Sequence, residues 1–200
     1  MTYQGNDAGR IVVGANGTVY VSDITATAPT DATTDLGAVA PHDAVAGDWV
    51  ELGFVAENGV VVTPSQAVTP VMVWQSSYPA RKIITSRGLE LDFILRELSN
   101  PVALVFAMGG GSVVEAPQGG AFTFTPPLAQ AVDLRSLCLD WQDGTRLFRL
   151  YIPNGQVVDL AAFTLSRTAP AELPVKFQLN HSGTGAPYNI FSNDAGLEGS

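Results

Sequence analysis

The chain is poor in cysteine, and Cys138 stands alone. One thiol can form neither an intrachain disulfide nor a cysteine zinc cluster, so a disulfide scaffold is excluded and a reducing compartment is expected. Histidine is nearly as scarce: His42 and His181 are the two copies, and neither has a metal-ligating partner at short spacing. Basic residues are few as well, 10 Lys+Arg against 19 Asp+Glu, and the net charge of -9 repels phosphate, which excludes an ordinary nucleic-acid binder. Long apolar runs are missing. The best, at 102–108, is far too short to span a bilayer, and residues 1–7 lack the basic and apolar regions of a secretory leader. The expectation is a soluble protein made in a cytoplasm.

What the sequence does have is apolar content. Hydrophobic residues make up 46% and charged residues 14% of 200 residues, enough for one domain with a sizeable core and for apolar surface that needs a cover. Alternation dominates the second half: Leu89, Leu91, Phe93 and Leu95 fall on one face, with Glu90, Asp92 and Arg96 on the other. Similar strands are predicted at 136–142, at 146–152, and around Val175, Phe177 and Leu179. Asp143-Gly144 predicts a tight turn joining two of them into a hairpin, and Asn154-Gly155 predicts a second turn, hence a meander. Thr63-Pro64, Thr69-Pro70 and Gly109-Gly110-Gly111 read as further turns.

One helix is predicted near 100–108, with Asn100 as cap, Pro101 at its first position and Gly109 as its stop. Val102, Val105 and Phe106 share a side of it and should cover a sheet face. The stretch 26–48 has no clear period and reads as a long loop, which inside a compact domain suggests a contact with another subunit. The domain expected is 1–180, including a loop near 23–48, with 181–200 as a C-terminal arm or mobile tail.

Residues able to carry chemistry are thinly spread. His42-Asp43 resembles a base beside its orienting carboxylate, but sequence neighbours do not by themselves share a site, and a loop position is the favoured reading. Asp133, Asp140 and Asp143 lack the further oxygen ligands of a calcium loop, and a hairpin turn explains Asp140–Gly144 better. Asn16-Gly17-Thr18 matches a glycosylation sequon, yet reads more simply as a glycine turn leading into Val19-Tyr20-Val21. Cys138 falls opposite Leu137, Leu139 and Trp141 on its strand, as a quiet structural thiol. Trp49, Trp74 and Trp141 suit core anchors or interface contacts better than a sugar-binding face, and Trp141 is expected in the core. No catalytic, cofactor or metal site is assigned, and the chain reads as a non-enzyme.

The order of segments carries a resemblance. A Gly17-Thr18-Val19-Tyr20-Val21 strand is followed by the long loop and by Trp49-Val50-Glu51-Leu52-Gly53-Phe54-Val55-Ala56-Glu57-Asn58-Gly59-Val60. Val73-Trp74-Gln75 and Pro79-Ala80-Arg81-Lys82-Ile83 come next, then 89–100, a strand running into the helix with a Glu and an Asn near the junction. Over about 14–180 this resembles the major tail tube proteins of siphophages, a fold shared with type VI secretion tubes.

The resemblance implies two packed antiparallel sheets with one flanking helix, a sandwich or barrel-like domain. It further implies hexameric rings stacked into a hollow tube through which DNA passes without specific binding. The protein would then reside in the virion tail after assembly in the host cytoplasm, need no cofactor or membrane, and meet tape measure, tail terminator and distal tail proteins. The alternatives are a monomeric β-sandwich binding module for sugar or cell surface, and a tail completion or neck ring protein of the same fold.

Overall fold

The computed structural model describes residues 10–41, 44–45, 47–115, 121–128, 132–160, 162–163, 165–181, 183 and 185–195. His42 and Asp43 lie outside the described residues. Among the described residues, ten strands and one helix follow in the order β1 (Asn16–Asp23), β2 (Val50–Glu51), β3 (Val61–Val73), β4 (Ser76–Leu95), α1 (Pro101–Ala107), β5 (Ser112–Glu115), β6 (Phe122–Thr125), β7 (Arg135–Asp143), β8 (Arg146–Asp159), β9 (Leu173–Leu179) and β10 (Asn189–Ser192). The protein is mainly β with two antiparallel sheets and one helix, as expected. The larger sheet runs β2-β1-β7-β8-β9-β4-β3, with β10 also on β8, and does not close; β5 and β6 form the smaller one.

The large sheet has two differently covered faces, and alternation decides which residue goes where. Val19 and Val21 of β1, Leu137 and Leu139 of β7, Leu150 and Ile152 of β8, Val175 and Phe177 of β9 and Leu89–Leu95 at odd positions of β4 meet in one core. The five strands from β1 to β4 in sheet order supply this core, with Ala103, Phe106 and Ala107 of α1 packed into it. Phe106 lies 6.5 Å from Phe93 and 5.7 Å from Phe177, ring centre to ring centre. On the other face Trp49, Cys138 and Tyr151 form a smaller cluster beneath the loop between β1 and β2, with Leu36 packed against it. Cys138 thus sits opposite Leu137 and Leu139, as the alternation predicts.

The helix is capped as its sequence demands. The Asn100 side-chain oxygen accepts from the backbone N–H groups of Val102 and Ala103, Pro101 opens the helix, and Gly109 leaves it at φ 69°. The predicted hairpin is also present, with Asp143 opposite Arg146 and Gly144 at φ 62°.

Four local expectations are corrected. Asn154-Gly155 makes no turn but lies inside β8, with Gly155 opposite both Arg135 and Leu179. Its missing side chain serves a close approach, since a Cβ there would overlap the Phe177 ring and stand 2.6 Å from the Gln178 carbonyl oxygen. The meander is retained, but β8 reaches β9 through residues 160–172. Pro64 and Pro70 likewise lie inside β3, which ends the sheet path; an edge tolerates residues without an N–H to donate. Asn16-Gly17 belongs to β1, paired with Gln142 and Trp141. Trp141 is half-buried: it packs at the margin of the core and stacks on Phe148 at 5.2 Å.

Candidate functional site

Three groups of residues define the surfaces on which this fold can act: a clamp, an anchored loop and a projecting arm. The clamp joins the segment after β2 to the β4–α1 junction. Trp49 is buried and donates its indole N–H to the Thr27 carbonyl at 3.1 Å, and Leu52 is buried in the core. Gly53 then takes φ 82°, a conformation that side chains resist, and its missing Cβ leaves room for the Glu97 carboxylate. That carboxylate accepts from Phe54 N–H at 3.1 Å, and Asn100 Nδ2 donates to the Glu51 carbonyl at 3.4 Å. Backbone bonds from Ala56 N–H to the Ile94 carbonyl and from Arg96 N–H to the Phe54 carbonyl complete it.

The long loop is pinned through a buried cation. Arg149, 4% exposed, donates from Nε and Nη2 to the Asp140 carboxylate at 2.7 and 2.6 Å, and from Nη1 to the Asp31 and Thr34 carbonyls at 3.1 and 2.9 Å. The hydrogen-bonded Asp140 carboxylate, more than any other group, holds the guanidinium pKa above its ordinary value. Within the loop, Asp31 accepts from the N–H groups of Thr33 and Thr34 and from both hydroxyls, and Asp23 accepts from Thr25 and from Gly47 N–H. Both carboxyls are held below the usual carboxylate range, first by the Thr34 hydroxyl for Asp31 and by the Thr25 hydroxyl for Asp23.

The arm is the outlying part of the β3–β4 hairpin. β4 pairs with β9 only over 90–95, so from residue 89 back to its tip the hairpin has no further strand beside it among the described residues. Every residue of β3, and of β4 up to Arg87, is exposed. From the Ser65–Gly88 pair to the turn at Trp74-Gln75 the ribbon extends about 30 Å, at about 3.3 Å per residue. Val68, Val71, Met72, Ile83 and Ile84 are exposed along it, Tyr78 is 80% exposed, and Trp74 at the tip is 99% exposed. Between residues 61 and 89 the sequence has Arg81, Lys82 and Arg87 but no carboxylate, in a chain of net charge -9. Sequence reasoning left Trp74 as either a core anchor or an interface contact and read the two prolines of β3 as turns, and so missed the arm.

The residues weighed for chemistry are separated. Asp133 is paired with Arg135, Asp140 with Arg149 and Asp143 with Arg146, each across its own ion pair. His181 is exposed at the end of β9. Burial pushes the Cys138 thiol far up, away from a reactive thiolate. Among the described residues no three His, Cys, Asp or Glu side chains gather as a metal site, and no helix is long and apolar enough to cross a membrane.

The fold is a mainly β domain from which an exposed, two-stranded arm with open edges projects, and such edges invite pairing with further strands. The family model described as phage tail tube protein matches residues 4–198, and the chain belongs to that family. It is a structural component of the phage tail, formed by self-assembly into a tube. No curated protein matches the sequence significantly.

Proposed function

We propose that six copies close into a ring and that rings stack into the hollow tube through which phage DNA is delivered. The arm is the observation that carries this reading. An isolated two-stranded ribbon is at best marginally stable in water, and its open edges invite further strands. A ring of copies covers both edges by head-to-tail contacts, because a heterologous interface that closes by rotation leaves none free. Tape measure, tail terminator and distal tail proteins would meet the tube at its ends, and the tube is assembled in the host cytoplasm. The domain spans 1–180 with 181–200 as its C-terminal arm, part of which, β10, is laid on β8. The net charge of -9 favours a wall past which DNA slides without sticking.

Negative-stain microscopy of the purified protein, with light scattering for mass, tests this reading. Six-membered rings or hollow tubes are expected. Single rings that never stack would instead favour a completion or neck role. A species that stays monomeric with tail initiator complexes present would overturn tube formation.

A further inference from the structure

We infer that the arm joins copies through unlike edges: the outer edge of β3 in one copy adds, antiparallel, to the edge of β4 that β9 leaves open in the next. The inference rests on the tube reading above and specifies which edge meets which. β4 pairs with β3 on one side and with β9 on the other, and the β9 pairing stops at Glu90. From Leu89 back to Ser76 that second side of β4 presents open backbone groups among the described residues. A cleft of about 620 Å³ lies at its start, walled by Arg87 and Gly88 of β4 and by Leu179 and Tyr188 past the end of β9, so there is room for a further strand at that point. β3 ends the sheet path, which leaves its outer edge open too.

Each edge is built against its own kind. Pro64 and Pro70 interrupt β3, and an edge-strand proline leaves its missing N–H on the unpaired side, so two β3 edges placed together would both lack donors. β4 has no proline from Ala80 to Leu89, but it carries Arg81, Lys82 and Arg87. Two β4 edges placed together would set cations against cations, and with no carboxylate between 61 and 89 no register relieves them. β3 has no charged residue, so β3 against β4 avoids both conflicts. The unbroken donors of β4 then face the carbonyls of β3, which its prolines retain. Direction fits as well. Two hairpins that point the same way place β4 of one beside β3 of the next, and these strands run antiparallel, as β3 and β4 do within one copy. The two edges are different surfaces of one chain, so the contact is heterologous, and repeated by rotation it closes a ring.

Disulfide trapping in assembled protein tests the pairing. Single cysteines are scanned along 61–69 of β3 in one series and along 80–88 of β4 in a second series that carries a mass tag; Cys138 is buried and stays in place. Each variant is assembled alone and mixed with its counterparts, checked by microscopy, oxidised and read by mass on a non-reducing gel. The expected result is dimers of one tagged and one untagged chain from the mixtures, at the positions that the register brings opposite, and no dimer from either series alone. Dimers of two tagged or two untagged chains, or no arm disulfide at any position in formed rings or tubes, overturn the pairing of unlike edges and leave the tube reading standing. A parent that fails to assemble even with tail initiator overturns the tube reading and the pairing with it.

Discussion

Single residues in the clamp show why the motif around Trp49 was legible. Gly53, Glu97 and Asn100 are far apart in sequence but interlock through the Phe54 N–H and the Glu51 carbonyl, and each is chosen for a backbone reason. Asn100→Ala should lower stability by about 1 kcal/mol through loss of the helix cap. Gly53→Ala should cost more, about 1–3 kcal/mol, because φ 82° is strained for alanine and the methyl meets the Glu97 carboxylate. Equilibrium denaturation checks both, and a Gly53→Ala protein as stable as the parent would show that the clamp is not under this constraint. Cys138 is fully buried, so an alkylating reagent should label it only on unfolding; prompt labelling of the native protein would contradict its placement. Asn154-Gly155 shows the limit of such reading. A sequence pattern reports that glycine is needed, but not whether for positive φ or for room beneath Phe177.

The end of β4 and β9 were legible because one face is buried and the other is not, whereas Ser136–Leu139 of β7 and Phe148–Ile152 of β8 are buried on both faces and were legible from their alternating large apolar residues and the turn between them; α1 is punctuated at both ends. The arm escapes this logic: with neither face buried in the monomer, no periodicity is imposed on residues 61–87, and its prolines look like turns. An Ile84→Asp substitution, midway along the arm opposite Val68, should leave the monomer folded and block assembly, read by melting temperature and light scattering. Tubes at parental concentrations would show that this stretch makes no contact. The loop between β1 and β2 answers to pH. Asp23 and Asp31 have folded pKa values below their unfolded ones, so their contribution is complete above the unfolded value of 3.8 and is lost as pH falls through the folded values. Amides in the loop should therefore lose hydrogen-exchange protection below about pH 4 while β7 and β8 keep theirs. Loop protection that is independent of pH would contradict that account.

For the whole molecule, composition bounded the reading through little charge and a high apolar content. The resemblance supplied the family, which the match over residues 4–198 establishes. The contact surface remained hidden, because an assembly interface is specified by a partner copy and leaves no imprint on the local pattern of one chain. The account centres on the arm as a ribbon completed by a neighbouring copy. Hydrogen exchange of the arm amides, compared between monomer and assembled protein, tests that claim most directly. Amides at 65–87 should exchange freely in the monomer and become strongly protected on assembly, as open edges gain strand partners. An arm that stays equally unprotected in formed tubes would contradict it and would place the subunit contacts elsewhere on the fold.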